Sequence, residues 1–407
     1  MRTLLGFVLP LMFASAGILA SDWPRFRGPN GTGISDDSTI PTTLGPHTTR
    51  WKIELPGDGH SSPIVVGKRI FLAASTPETR MLLCYDTAGK QLWKREVAGG
   101  VGKTHPLSSL ASATPCSEGE RVFIVFWDGK NVGLYAYSLD GKLLWSHDLG
   151  AFKSQHGPGF SPIVHQGTVI VNNDQDGKAE LLAFEAATGK LLWSTPHKAF
   201  RACYSTPIIH DGLLLVTTTA GLNAYDPKDG RKKWSYEWKF PVKPLRTVGS
   251  SVIAGDLIVL PSGDGDGSRN MIGVRLPKGD QKPSLAWQLE ASTPYVPTSV
   301  VRDGYLYTLF DEGIAICREA STGKETWRAR LGGKVSASPV RIGSNLYVFG
   351  ERGDVTVFEA RPDKFVLVSR GKLGENVMAS PAVGDGLLIV RGAKHLYAFG
   401  DPKRSKE

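Results

Sequence analysis

The sequence predicts an all-β chain folded as an eight-bladed β-propeller, four antiparallel strands to a blade, on three observations. A hairpin ending in tryptophan recurs: "CYDTAGKQLW" (84–93), "AYSLDGKLLW" (136–145), "AFEAATGKLLW" (183–193), "AYDPKDGRKKW" (224–234) and "CREASTGKETW" (317–327). Ahead of each hairpin runs a second element, usually a Ser/Thr-Pro pair, an apolar triplet, a Gly turn and an alternating run. It has eight starts, at Ser61, Ala113, Phe160, Ser205, Ser250, Pro297, Ala337 and Ala379. They fall about 40 to 52 residues apart, and that period with strand-type alternation marks a propeller blade.

Each unit divides into four short strands. In the third they are expected at 161–165, 168–172, 180–185 and 191–194, joined by turns whose glycines supply positive φ. Trp93, Trp145, Trp193, Trp234, Trp287 and Trp327 end blades one to six, placed to fill the gap between neighbouring blades. Blade seven lacks a tryptophan and offers "KFVLVS" (364–369) as its fourth strand. Blade eight stops after three strands near Phe399. Its fourth is expected from "TRWKIEL" (49–55), where Trp51 has no preceding partner, so that the N-terminal strand closes the ring and leaves no free edge. The division is then a signal segment (1–20), an N-terminal extension (21–48), the propeller (49–400) and a basic tail (401–407).

The first residues combine one arginine with an apolar run from Leu4 to about Ala20, broken by Pro10. That is the form of a secretory signal, with cleavage expected after Ala20. No cysteine follows it to carry a lipid, and no second apolar span occurs. The expected mature protein is a soluble monomer, exported to the periplasm or secreted. Its formal charge of +9 is spread along 407 residues. Such a charge favours acidic partners weakly, and without a nucleic-acid-binding signature nucleic acid is not an expected partner.

Cys84 and Cys317 occupy matching positions in distant repeats and read as small buried residues; a Cys116–Cys203 bridge stays open. No C-x-x-C spacing suggests zinc. "NNDQDGKAE" (172–180) and "SGDGDGSRN" (262–270) begin like calcium loops but lack the closing glutamate, and read as polar hairpin turns. No metal is expected.

The segments leading into each innermost strand converge on one mouth of a propeller's channel. They carry His60, His105, His156, Arg201, Tyr204, Lys243, Arg246, Tyr295, Lys334 and Asn376, with Glu290 and Glu375 the only acids nearby. The expectation is a basic funnel that attracts anions. No nucleophile or carboxylate pair can be named.

The pattern A-x-D-x-x-T-G-x-x-x-W resembles the tryptophan-docking motif of quinoprotein propellers. Ala183, Thr188, Gly189 and Trp193 match it with Glu185 in the Asp place; Ala224, Asp226, Gly230 and Trp234 match it with Asp229 for Thr. "DWPRFRGPNGTGIS" (22–35) resembles the start of small exported members. The chain is therefore similar to the pyrroloquinoline-quinone-like repeat family, over residues 22–400. That resemblance implies the propeller fold and two functional readings. One is a non-catalytic binding or scaffold module of the bacterial cell envelope, holding an envelope protein or an anionic ligand, as in outer-membrane protein assembly. The alternative is a quinone-dependent alcohol or sugar dehydrogenase using pyrroloquinoline quinone with calcium. The dehydrogenase pattern implies an adjacent cysteine pair, which is absent here, so no cofactor is expected.

Overall fold

The structure, a computed structural model, describes residues 22–240 and 242–402. The expected signal segment and most of the basic tail lie outside the described residues. Eight sheets stand around a central channel, each with four blade strands in order from the channel outward, and the seventh gains a fifth, Ile34–Ser35, on its channel side. Blade one comprises Ile64–Val66, Arg69–Ser75, Thr79–Asp86 and Gln91–Ala98. In blade three the strands are Ile163–His165, Thr168–Asp174, Ala179–Glu185 and Leu191–Pro196, so the second strand runs on to Asp174. Strands two and three are buried between neighbouring blades, whereas the fourth alternates exposed and covered positions. A sheet sandwiched on both faces reads as a continuous apolar run, and an outer strand alternates.

Each tryptophan faces a small residue across the third strand: Cys84 opposite Trp93, Ala136 opposite Trp145, Ala183 opposite Trp193, Ala224 opposite Trp234, Gly273 opposite Trp287, Cys317 opposite Trp327 and Ala398 opposite Trp51. A larger side chain there would contend with the indole for the same space. That is why two of these positions hold cysteine: all four cysteines are free and buried. The indole N–H then reaches the following blade. Trp51 donates to the Thr87 carbonyl, Trp93 to Leu139, Trp145 to Ala186, Trp193 to Pro227, Trp287 to Ala320 and Trp327 to Arg361, all within 2.9–3.1 Å. Among the described residues no such bond joins Trp234 to blade five, whose connection at 276–283 lacks the usual tight turn.

Thr49–Glu54 pairs antiparallel with His395–Phe399 and supplies the fourth strand of blade eight. Blade seven differs from expectation. Its fourth strand is Leu367–Lys372, and Phe365, placed in that strand by the sequence, instead packs against Trp327 with ring centroids 5.6 Å apart.

The Ser/Thr before each blade's first strand has a role the repeat alone did not disclose. The amide of Ser62 donates to the Thr114 hydroxyl, Thr114 to Ser161, Thr206 to Ser250, Ser250 to Thr298, Thr298 to Ser338, Ser338 to Ser380, and Ser380 back to Ser62. These hydroxyls form a belt around the channel that satisfies buried amides and couples seven of the eight blade junctions among the described residues, the one between blades three and four excepted.

The N-terminal extension is more than a tail. Residues 22–35 cross the ring at the ends of the innermost strands. Trp23 exchanges backbone hydrogen bonds with Val65, the Ser117 amide donates to the Pro24 carbonyl, and the amides of Arg341 and Gly343 donate to Gly33 and Ser35. Asn30 bonds the Ile209 backbone through both ends of its amide. Arg27, 1% exposed, reaches along the channel to the carbonyls of Ser299 and Pro339 at 2.8 Å, and Arg25 reaches Pro207. Gly28, at φ +68, lies so close under Trp23 that a Cβ would fall 2.5 Å from the indole. The segment plugs one mouth.

Candidate functional site

A four-stranded blade alternates the faces on which its connections lie. The loops leading into first strands share a face with the turns between second and third strands; the plug sits against the other face. The open mouth is therefore built from two sets of loops, of which sequence reading used only one.

On the side of blades seven, eight, one and two this mouth holds a cavity of about 670 Å³. His60 and Asn376 line it from lead-in loops, joined by Asp58, Glu351, Arg352 and Arg391. Arg391 is 1% exposed; its Nη1 donates to the carbonyls of Ser61 and Ala73, while Nε and Nη2 have no acceptor among the described residues. His60 Nδ1 lies 3.3 Å from the Leu107 carbonyl. Burial and then the Arg391 charge push its pKa below the ordinary imidazole value.

All the remaining candidates but Lys334 gather across blades two to six. His105 and His156 meet edge-on with ring centroids 4.7 Å apart. Arg246, 1% exposed, donates from Nη2 to Gln155 Oε1 at 2.9 Å. The Tyr204 hydroxyl bonds Ser154 at 2.9 Å and donates to the Gly157 carbonyl. Tyr295 lies against the backbone of Gly263, with the Arg269 guanidinium 5.1 Å from its ring centre. Burial, then Arg246, His105 and Arg201, lowers the His156 pKa to about 4. Lys334 stands apart at the rim, two-thirds exposed, 3.5 Å from Glu312.

The mouth does not carry charge of one sign. Asp264 accepts from Arg201 at 2.7 Å and from Lys243 at 3.0 Å, and Lys243 also holds Asp266. Burial pushes the Asp264 carboxyl up, but the Arg201 and Lys243 bonds outweigh it and hold it at about 2. Asp311 accepts the Tyr295 and Val296 amides and pairs with Arg269. These acids lie at or beside second-to-third turns, which the funnel expectation left out. Glu290 is exposed, and Glu375 is taken up by His395, Tyr397 and the Lys394 amide.

The 172–180 stretch also differs from a simple turn. Asn172, Asn173 and Asp174 are buried at the end of a strand, and Asp174 binds His197, whose side chain is 3% exposed. A turn occupies only the residues between Asp174 and Ala179.

The residues present do not fit a calcium-bound quinone. Among the described residues no three His, Cys, Asp or Glu side chains converge as metal ligands. Cys84, Cys116 and Cys317 lie in strands of three different blades, and Cys203, in the loop leading into blade four, is bonded to Thr217 and Thr247. No helix among the described residues is long and apolar enough to cross a membrane.

The sequence model of the family described as outer membrane protein assembly factor BamB matches residues 130–285 and 280–403. The chain is 23% identical over 321 residues to the outer membrane protein assembly factor BamB of Yersinia pestis, covering 75% of this chain and 76% of that one. Crystalline BamB from Moraxella catarrhalis superposes with a TM-score of 0.64 at 16% identity, over 86% of this chain and 99% of that one. Quinohemoprotein alcohol dehydrogenase from Comamonas testosteroni gives a TM-score of 0.69 at 14% identity, over 95% and 81%. At such identities the structural likenesses speak for the fold alone. The family match spans more than half of the sequence, and the chain belongs to the BamB family of quinoprotein-like repeat propellers.

Proposed function

We propose that this propeller is a non-catalytic scaffold of the bacterial cell envelope that holds a protein segment at its open mouth during outer-membrane protein assembly. The observation that carries the reading is the asymmetry of the ring. Residues 22–35 fill one mouth, while the other is open, with a cavity of about 670 Å³ set among its loops. Loops carried on a rigid ring are suited to recognition because the scaffold fixes them and leaves their tips free to vary. The family supports the assembly role, since its model and the Yersinia pestis relative are described as outer membrane protein assembly factors. Export through a signal cleaved after Ala20 is part of the proposal, and N-terminal sequencing of the secreted chain tests it.

The central test is co-purification from envelope extracts under gentle conditions. An outer-membrane assembly protein is expected with the propeller; recovery of the propeller alone would count against the scaffold. Titration with pyrroloquinoline quinone and calcium tests the dehydrogenase alternative. No saturable tryptophan quenching is expected, and saturable one-to-one binding would overturn the non-catalytic reading.

A further inference from the structure

We infer that the open mouth carries a receptor site for a carboxylate, formed where the imidazoles of His105 and His156 meet beside the buried guanidinium of Arg246. The inference rests on the mouth being the binding end of the scaffold. Four lead-in loops deliver the groups: His105 from blade two, Gln155 and His156 from blade three, Arg201 and Tyr204 from blade four, and Arg246 from blade five.

The charge balance around Arg246 is what points to an anion. Two of its three side-chain nitrogens, Nε and Nη1, are buried without an acceptor among the described residues, and its one side-chain bond is to the neutral Gln155. Asp264, the nearby carboxylate, is occupied by Arg201 and Lys243. The Tyr204 hydroxyl is committed to Ser154 and Gly157, and Tyr295 lies beneath Arg269. A permanent cation thus stays uncompensated where solvent screening is weak. The imidazole pair adjoins it through Gln155, the neighbour of His156 in sequence, with His105 exposed and His156 partly so. The lowered proton affinity of His156 reports the same positive potential, after burial, from Arg246, His105 and Arg201.

A carboxylate seated on the imidazole pair cancels that potential. The proton affinity of the imidazoles then rises, and the bound state holds a proton the free state lacks. Affinity therefore strengthens as pH falls from neutral and levels off near the free His156 value of about 4. The imidazole N–H groups donate to the carboxylate oxygens, and the proton gained on binding supplies a further donor. The carboxylate can belong to an Asp or Glu of a protein segment or to a small free acid.

Calorimetric titration of the mature chain distinguishes these sources. The probes are citrate, an acetylated and amidated tetraglutamate peptide, and inorganic phosphate, at pH 7.5 and 6 in buffers of differing ionisation enthalpy. Saturable carboxylate binding with proton uptake is expected, tightening by up to about tenfold per pH unit for each proton taken up. His105→Gln and His156→Gln should abolish uptake and the pH dependence while melting like the parent chain at pH 7.5. Binding of the peptide alone assigns the site to acidic protein segments; equal or stronger binding of citrate assigns it to small acids. No saturable carboxylate binding at pH 6, preference for phosphate, or proton uptake that survives both substitutions would overturn the inference. A partner retained equally by the parent and the double His variant would leave the scaffold reading standing and remove this site from it.

Discussion

Arg27 is buried with no carboxylate partner among the described residues, yet it donates to four main-chain carbonyls, those of Gly31, Thr32, Ser299 and Pro339. Burial lowers its pKa to about 9, which leaves it charged at neutral pH. One planar fork thus joins the plug to blades six and seven, a task a lysine ammonium cannot reproduce. Arg27→Met should cost about 3 kcal/mol or more, because several carbonyls lose their donors in a dry channel, and Arg27→Lys should recover little of it. Faster hydrogen exchange at the Arg341 and Gly343 amides, which donate to the plug and report its release from the ring, checks both. His156 yields a pH prediction. Its folded pKa of about 4 lies below the ordinary 6.5, so the unfolded chain binds more protons between those values. Stability then rises with pH through that window and is lost as pH falls through it. His156→Gln should flatten the dependence of Tm on pH between about 4 and 6.5. His60, shifted in the same direction, should behave likewise.

At the scale of the blade, the sequence carried the repeat, the tryptophans and the closing strand, because each depends on local periodicity. It could not carry what arises only when blades meet. The hydroxyl belt joins residues about 40 to 50 positions apart, and the Ser/Thr-Pro pair gives no sign of its partner. The plug was visible as "DWPRFRGPNGTGIS", but its partners are spread over five blades. The funnel candidates sit on lead-in loops, whereas Asp264 comes to Arg201 from a turn between second and third strands, a pairing that no local pattern signals. The blade-to-blade contact itself can be tested at glycine. A Cβ on Gly189 would fall 2.6 Å from the indole of Trp145, whereas one on Gly279 meets open space; both have positive φ. Gly279→Ala should cost about 1 kcal/mol for backbone strain alone, and Gly189→Ala roughly 2 kcal/mol more because the indole must move. Equal losses in urea unfolding would show that turn geometry, not tryptophan docking, sets the cost.

For the whole molecule, two devices using the same end of the chain have different jobs. Thr49–Glu54 closes the ring by completing blade eight, while residues 22–35 close the channel without completing any four-stranded blade. Ile34–Ser35 adds only a short parallel strand beside Val340–Ile342, inside a blade that already has four. Removing residues 22–35 should therefore leave the ring folded, since its blades, their tryptophan contacts and the hydroxyl belt remain. The loss should be local. Amides of Val65, Gly67, Ser117, Ile209, Arg341 and Gly343 donate to the plug and should lose protection from hydrogen exchange. Amides pairing second with third strands, such as Val171 with Leu182, should keep theirs. Trp51→Ala should do the reverse, weakening all blades together, because a propeller opened at one seam exposes two blade faces at once. Uniform loss of protection in the plug deletion would mean that the extension holds the ring as well as the channel. In that case the open mouth would be shaped from below, through Arg25 and Arg27, by the segment that closes the other end.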